Sequence, residues 1–410
     1  MKKSLSLMAA VLFSIALRGG VWVGNAWGAD TKADAGKKLD YEAVDYQRRT
    51  IYHSPETPGF TCWVYPWIMP DNSIMVCFYQ ATGPKEGRPR APLAVQKKLS
   101  WPALADPRRD MTGLNSSTVY LRSTDGGTNW NKVSEVPFRG VINSLVHGGV
   151  ALPDGTLLRS LYGAYLPYDA EVPRTGLVQR STDDGKTWGK MECYLPADKF
   201  LAYPINLHLL RDGRPIFLGG ISRGPADRPW SEFGETMEPL LMVSDDSGKT
   251  WGKPIQVIPE ANRKGWSCEE CDAVELPNGD LFWVFRRCVP QDADKPMHKR
   301  AHTHWQGVME KCGNSWKPKW VGPSPFPNLG LPSLVATREG PILYVNGNHL
   351  TADEGKTWHK VKNLPAPAYY PKGLQLADGR ILVFSHLGSD DPYGVVDQKI
   401  LLDTYRLKAK

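Results

Sequence analysis

The sequence predicts an all-β fold, a six-bladed β-propeller built from four-stranded antiparallel blades. Three observations predict it: an eight-residue turn motif that occurs four times, a second turn motif that occurs six times, and a composition rich in turn formers. The chain of 410 residues contains 39 Gly and 34 Pro, and 10% of its residues are aromatic. A chain of this length ordinarily divides into domains, but a repeat array lengthens without dividing.

The first motif has the form Ser-x-Asp-x-Gly-x-x-Trp. An Asp followed two residues later by Gly suits a tight hairpin, because the carboxylate accepts hydrogen bonds from nearby N–H groups and Gly takes up a positive φ. The Trp then provides a large flat side chain that packs against a neighbouring element. The four copies lie at residues 123–130, 181–188, 244–251 and 351–358, the last with Thr in place of Ser.

The second motif is an apolar residue or Thr followed by a three-residue turn that ends in Gly or Asn. The segments around it are rich in β-branched and aromatic residues, which is typical of strands. With four strands to a unit, six turns predict six blades. The alternative is a β-sandwich or several small β domains, and the regular spacing favours the propeller. The six copies lie at residues 69–72, 152–155, 210–213, 276–279, 337–340 and 376–379.

The sixth unit needs an outer strand from elsewhere in the chain. We expect residues near Tyr46 to Tyr52 to supply it, which closes the ring and leaves no bare sheet edge. In such a ring both turn motifs lie on one face, and the longer, more variable loops lie on the other. The longest loop runs from Tyr79 to Ser117. Long loops on a rigid scaffold usually carry ligand sites, so we expect the site on the loop face.

The N-terminus predicts a secretory signal peptide. Lys2 and Lys3 precede an apolar stretch, and residues 26–28 (Ala-Trp-Gly) form a small-x-small cleavage pattern. We expect cleavage near Gly28, a polar leader over residues 29–45, and the propeller over residues 46–410. No later segment is apolar enough to span a membrane. The mature protein is therefore expected to be secreted or periplasmic.

Charge and cysteine content narrow the classes of ligand. The net charge of +7 is spread along the chain without a long basic run, which argues against a nucleic-acid-binding protein. We predict a glycan as the partner, with no cofactor and no metal, and leave the oligomeric state open.

The seven Cys residues are an odd number, so at least one is unpaired within the chain. Cys268, Cys271, Cys288 and Cys312 would suit a zinc site, but an oxidising compartment favours disulfides or buried thiols.

The Ser-x-Asp-x-Gly-x-x-Trp motif resembles the Asp box, or BNR repeat, of the sialidase (neuraminidase) superfamily. The stretch from Glu270 to Arg286 is also similar to a bacterial exo-sialidase pattern, in which a Glu precedes a turn and an Arg follows it. The resemblance covers essentially the whole mature chain. It implies a retaining exo-acting glycoside hydrolase, with sialic acid as the leading substrate and Arg286 gripping its carboxylate.

Tyr370 matches the nucleophile of that family. It precedes Gly379 by nine residues, as Glu270 precedes Gly279 by nine. Equal offsets place both residues at the same end of innermost strands, so both side chains can face one central pocket. A phenol attacks poorly at its reference pKa of about 10, so a carboxylate such as Glu270 would draw off its proton. The adjacent Tyr369 is a competing candidate.

The loop before the first Ser-x-Asp-x-Gly-x-x-Trp motif holds two further candidates. Asp110 lies thirteen residues before Ser123, in an Asp-x-x-Gly-x-Asn-Ser context similar to that of the family's general acid. It would protonate the leaving oxygen. Arg109 is the candidate for substrate binding from the same loop.

The chain departs from the family pattern at two of the three substrate-binding arginines. Cys62 or Trp63 stands where the first Arg would be, and residues 344–349 of the fifth unit contain no Arg. Trp63 and Tyr65 instead offer aromatic surface for a sugar ring.

Two alternatives to a sialidase therefore stay open. One is a hydrolase of a different sugar, such as an arabinan-releasing enzyme, with Glu269, Glu270 or Asp272 as its carboxylates. The other is a glycan-binding propeller without catalysis, because fold alone does not decide function.

Overall fold

The computed structural model describes residues 39–56, 60–84, 86–99, 110–137, 146–161, 172–173, 175–226, 237–259, 266–288, 301–327, 330–387 and 398–410. These residues form six four-stranded antiparallel sheets, which are the six predicted blades. The predicted signal peptide at residues 1–28 lies outside the described residues.

The first three blades follow one another along the chain, and each is a meander of four strands. Blade 1 also carries a short helix, α1 (Leu93–Leu99), in the long loop between its second and third strands. The strands of blade 1 are β2 (Phe60–Ile68), β3 (Ile74–Thr82), β4 (Asn115–Ser123) and β5 (Asn131–Pro137). Those of blade 2 are β6 (Val146–Ala151), β7 (Leu157–Leu161), β8 (Leu177–Ser181) and β9 (Glu192–Cys193). Those of blade 3 are β10 (Phe200–Leu209), β11 (Pro215–Arg223), β12 (Glu238–Val243) and β13 (Ile255–Gln256).

The last three blades differ in length, and blade 5 has the shortest strands. Those of blade 4 are β14 (Trp266–Glu275), β15 (Leu281–Cys288), β16 (His302–Cys312) and β17 (Ser315–Pro327). Those of blade 5 are β18 (Leu334–Ala336), β19 (Ile342–Tyr344), β20 (His349–Thr351) and β21 (His359–Lys360). Those of blade 6 are β22 (Tyr369–Gln375), β23 (Ile381–Leu387), β24 (Lys399–Ala409) and β1 (Tyr41–His53).

The ring closes where the two ends of the fold pair. Strand β1 runs antiparallel to β24, with Tyr41 opposite Ala409 and His53 opposite Lys399. An outer strand from the N-terminal segment was expected, but it begins at Tyr41, inside the stretch predicted as a polar leader. The reason is that Tyr41 and Ala43 pack into the apolar cluster between blades 5 and 6, which extends the pairing toward the N-terminus.

The second turn motif recurs in the backbone as well as in the sequence. The last residue of each of the six turns adopts a positive φ, a conformation that Gly enters without steric cost and Asn tolerates. All six turns therefore have the geometry that the motif predicts. The residues are Asn72, Gly155, Gly213, Gly279, Gly340 and Gly379.

The four Ser-x-Asp-x-Gly-x-x-Trp motifs form one recurring hydrogen-bonded turn. In blade 2 the Ser181 hydroxyl donates to Asp183, and the Gly185 N–H donates to Ser181. The same bonds occur in the copies that begin at residues 123, 244 and 351.

The Trp of each motif joins its blade to the preceding one. Trp188 of blade 2 packs on Tyr120 of blade 1, with ring centroids 5.4 Å apart. Trp251 of blade 3 lies 4.7 Å from Tyr194 of blade 2. Trp130 of blade 1 lies 5.6 Å from Phe384 of blade 6, which extends the pattern across the closure. The motif therefore stabilises blade-to-blade packing, where the apolar clusters of the core also lie.

In the part of the chain that the structure describes, α1 has 7 residues, and no helix is long and apolar enough to cross a bilayer. A membrane-spanning helix needs about 20 such residues.

We predict that Asp183→Ala lowers the melting temperature at pH 7 and that its difference from wild type shrinks as the pH falls. The Thr187 hydroxyl and N–H, with the Ser181 hydroxyl, lower the pKa of Asp183 to about 2. A pKa depressed by folding stabilises the protein above the unfolded-state pKa of about 3.9, and this contribution is lost as the pH approaches 2.

Thermal unfolding at pH values from about 7 to 2 measures this difference, with Asp198→Ala, at an exposed position, as the control. A difference that stays constant with pH would show that the Asp183 carboxylate does not contribute through its charge.

Candidate active site

The first strands of the blades surround the centre of the ring. Each of these strands contacts the first strand of the blade on either side, all the way round. Five of the six have a bulge or register irregularity toward the end opposite the second turn motif. Bulges re-aim side chains and are common beside active sites. The six strands are β2, β6, β10, β14, β18 and β22.

Tyr370 and Glu270 meet across this hub. The Tyr370 hydroxyl donates a hydrogen bond of 2.6 Å to Oε1 of Glu270. Nη1 of Arg286 lies 3.0 Å from Oε2 of the same carboxylate. Tyr370 belongs to β22 of blade 6 and Glu270 to β14 of blade 4, and blade 5 lies between these two blades. The equal nine-residue offsets in the sequence thus correspond to equal heights in the hub.

The backbone at Tyr370 is held in an unusual conformation. Its φ is +49°, and Trp63, nine residues before Asn72 in blade 1, has a φ of +53°. A non-glycine residue in the left-handed region costs about 1–3 kcal/mol and persists there only where the surrounding structure holds it. Both residues lie in bulges of their strands, between Tyr369 and Lys372 and between Cys62 and Tyr65.

A buried histidine packs behind Tyr370. The rings of His386 and Tyr370 are nearly parallel, with an interplanar angle of 17° and centroids 6.1 Å apart. Nδ1 of His386 lies 3.4 Å from the Trp63 N–H, which donates to it. Burial lowers the pKa of the His386 imidazole to about 3, so the ring is neutral in ordinary buffers. The neutral ring contacts both bulges, the first through the Trp63 N–H and the second through the Tyr370 ring.

The chemistry available to this group is proton transfer from a phenol. Glu270 is buried and accepts a short hydrogen bond, and the guanidinium of Arg286 balances its negative charge. A carboxylate so placed can take the phenolic proton as Tyr370 attacks an electrophilic carbon. The competing candidate, Tyr369, is exposed at the rim of the site and packs edge-on against Tyr370.

Asp110, the predicted general acid, is held by an ion pair and backbone hydrogen bonds. Its side chain is 0% exposed and forms an ion pair of 2.8 Å with Arg90. The N–H groups of Ala91 and Thr112 also donate to the carboxylate. Burial raises the pKa of Asp110, but these hydrogen bonds outweigh it and hold the pKa below the usual range. In this arrangement the Asp110 carboxylate anchors its loop, and its role as general acid stays a prediction.

The other predicted binding residues have different positions. Tyr65 is 4% exposed and lies on the turn side of the bulges, where Lys372 packs over its ring, and its role in sugar binding stays a prediction. Trp63 is partly buried and packs against Phe60 and Tyr79. Its role in sugar binding stays a prediction. Arg109 lies outside the described residues.

One layer of the hub lies two positions after the bulge positions and includes Tyr65, Asn206, Asp272 and Lys372. The sequence reasoning missed Asn206 and Lys372, whose only signal was that shared offset from the turns. Nζ of Lys372 lies 3.2 Å from Oδ1 of Asn206 and 3.9 Å from Oδ2 of Asp272. These residues line one end of a cavity of about 620 Å³ that extends through the hub toward the turns. The cavity lies on the turn side of the Tyr370–Glu270 pair.

The cysteines do not assemble around a metal in the described ranges. Cys271 is fully buried, with its thiol 3.7 Å from the Leu218 carbonyl oxygen, and Cys312 is an exposed free thiol. Among the described residues, no three His, Cys, Asp or Glu side chains cluster as a metal site would need. The side chains of Cys268 and Cys288 lie outside the described part.

Comparison with known proteins finds solved structures that share the fold. No protein-family model and no curated protein matches the sequence. A Dyadobacter fermentans protein of unknown function is similar in structure, with a TM-score of 0.58, 18% identity, and coverage of 90% of this chain and 99% of that one. An α-L-arabinofuranosidase from Fusarium graminearum has a TM-score of 0.56, 14% identity, and coverage of 88% and 98%.

A sialidase from Trypanosoma rangeli has a TM-score of 0.51, 12% identity, and coverage of 89% of this chain and 59% of that one. The chain shares its six-bladed propeller fold with glycoside hydrolases. At these identities the likeness shows the fold, and the two enzymes named act on different sugars.

We predict that Asp110→Ala lowers the free energy of unfolding at pH 7 by about 1–3 kcal/mol, because buried N–H groups lose their acceptor. Denaturant unfolding measures this. The folded variant should keep the wild-type ratio of activity on aryl glycosides to activity on oligosaccharides. A selective loss on oligosaccharides, whose leaving groups need protonation most, would support the general-acid role.

Proposed function

We propose that the protein is a retaining exo-acting glycoside hydrolase with Tyr370 as nucleophile and Glu270 as the base that activates it. The observation that carries the proposal is the 2.6 Å hydrogen bond from the Tyr370 hydroxyl to Glu270. The glycoside hydrolases that share the fold support a sugar as substrate. Export is part of the proposal, supported by the signal-peptide pattern of residues 1–28.

The reaction has two steps. In the first, Glu270 takes the phenolic proton as the Tyr370 oxygen attacks the anomeric carbon, the bond to the leaving oxygen breaks, and that oxygen takes a proton from solvent. In the second, water attacks the anomeric carbon and gives up one proton to solvent, the bond between that carbon and the tyrosine oxygen breaks, and the phenol regains its proton from Glu270. Two displacements at one carbon retain its configuration.

An acidic sugar is the leading substrate, with sialic acid as its representative. A neutral phenol approaches a sugar that bears a carboxylate without the repulsion that a carboxylate nucleophile would meet. Arg286, beside Glu270, supplies the paired N–H donors that bind a carboxylate. The net charge of +7 also suits an anionic glycan.

A neutral sugar of the arabinose type is the second candidate. Two positions where a sialidase would place arginines hold other residues. At the first stands Cys62, which is buried, or Trp63, which packs among aromatic rings. At the second, residues 344–349 contain no Arg. An arabinofuranosidase and an arabinanase have the same fold, with TM-scores of 0.56 and 0.52. The Tyr370–Glu270 pair serves either sugar.

We predict that Tyr370→Phe lowers kcat by about 1,000-fold or more, because it removes the attacking oxygen and leaves the ring packing intact. Release of methylumbelliferone from its α-sialoside and its α-L-arabinofuranoside measures the loss. The matched control is Tyr369→Phe, which removes the same oxygen from the exposed neighbour and should keep activity within about threefold. An active Tyr370→Phe enzyme would contradict the proposal.

We predict that Arg286→Gln raises KM for the sialoside more than for the arabinofuranoside, by a further factor of about 10 to 100, because a charge-assisted hydrogen bond is lost. Comparing the two substrates cancels the shared effect of the change on Glu270. Arg287→Gln is the control, because that guanidinium packs over Trp305 at 4.1 Å from the ring centroid. Equal increases for both substrates would argue for a neutral sugar.

A further inference from the structure

A second contact joins the two strands that carry Tyr370 and Glu270. Two residues further along the same two strands, Lys372 and Asp272 face each other, with Nζ 3.9 Å from Oδ2. Strands β22 and β14 are thus joined twice across blade 5, once by the reactive pair and once by an ion pair. We call the Lys372–Asp272 pair the lower rung.

The lower rung is more deeply buried than an ordinary ion pair. Lys372 is 5% exposed and Asp272 is 4% exposed. Burial lowers the pKa of the Lys372 ammonium, and such a charge persists only where partners compensate for lost water. The position of the Lys372 ammonium is therefore determined by its neighbours.

The neighbours of the lower rung come from blades 3 and 5. Nζ of Lys372 donates to Oδ1 of Asn206 at 3.2 Å and to the Pro332 carbonyl at 3.1 Å. The Leu334 N–H donates to Oδ2 of Asp272 at 2.8 Å, and Nε2 of His208 lies 2.9 Å from Oδ1. The rung is thus fixed by blades 3 and 5 as well as by the two strands that it joins.

Blade 5 makes this connection possible because its first strand is short. Strand β18 has 3 residues, against 10 in β14 and 7 in β22. The chain just before β18 therefore provides backbone groups, Pro332 C=O and Leu334 N–H, where other first strands continue their ladders. Side chains from blades 4 and 6 meet across this gap.

We propose that Lys372 is a positioning residue, which through its ion pair with Asp272 sets the separation of Tyr370 and Glu270. This inference rests on the proposed function. Tyr370 lies in a bulge between the register pairs of Tyr369 and Lys372, and the lower rung joins the two strands only two residues beyond the reactive pair. A misplacement of about 1 Å at reacting atoms costs about 100-fold in rate.

The test compares Lys372→Met, the double variant Lys372→Met/Asp272→Asn, and Lys319→Met as a matched control. Lys319 forms an ion pair with the buried carboxylate of Asp280, at 3.5 Å and away from the hub, although its own side chain is 39% exposed. For each variant, kcat and KM are measured on the better aryl glycoside, and the midpoint of denaturant unfolding is measured alongside.

We expect Lys372→Met to lower kcat by about 10- to 100-fold with KM changed by less than about twofold, because the pair acts in the chemical step. The single change leaves Asp272 as an uncompensated buried charge and lowers stability. The double variant removes both charges, so its unfolding midpoint should return toward wild type while kcat stays low. Lys319→Met should keep wild-type kcat.

Recovery of kcat together with stability in the double variant would overturn the inference, because the rung would then be purely structural. Wild-type kcat in folded Lys372→Met would overturn it as well. A wild-type protein that turns over neither glycoside would contradict the proposed function, and the inference with it. If Lys372→Met does not fold, the double variant decides, since low kcat at normal stability supports positioning and normal kcat contradicts it.

Discussion

The closure of the ring by β1 and β24 is the constraint on which the hub depends. The two strands pair from Tyr41 opposite Ala409 to His53 opposite Lys399, which fixes blade 6 between blades 5 and 1. Only in a closed ring do the first strands of all six blades face one centre. The proposed reactive pair, Tyr370 and Glu270, draws one residue from blade 6 and one from blade 4, so its geometry is a property of the whole ring.

The turn motifs that join the blades lie on one face of the propeller, and the bulged strand ends of the candidate site lie toward the other. On the turn face, the Ser-x-Asp-x-Gly-x-x-Trp motifs satisfy their own backbone groups and join each blade to the one before it, as Trp188 does on Tyr120. At the other end of the hub, the strands are bulged, and Tyr370 and Trp63 have left-handed backbones. Strain of this kind persists where surrounding packing determines it, and it is common at functional sites. The neutral His386 ring and the Lys372–Asp272 pair provide that packing from the side and from below.

How much was predictable from the sequence depended on how local each feature is. The blade count followed from a local turn motif of four residues that occurs six times, and the meeting of Tyr370 with Glu270 followed from equal offsets in a repeating register. The start of β1 was missed because burial of Tyr41 and Ala43 depends on a strand more than 350 residues away. The contacts of Asp110 were not predictable, because its loop folds back so that Ala91 and Arg90 bind the carboxylate. Lys372 had no motif at all, because its partners come from four separate stretches of chain.

The central claim is that the phenol oxygen of Tyr370 forms a covalent bond with the sugar. The most direct measurement is to inactivate the protein with a fluorinated glycosyl fluoride, of the sialic acid or the arabinofuranose series, and to locate the label by peptide mass spectrometry. The account predicts one sugar per chain, attached at Tyr370, with labelling abolished in Tyr370→Phe. Attachment to Glu270 or another carboxylate, or inactivation that persists in Tyr370→Phe, would contradict it.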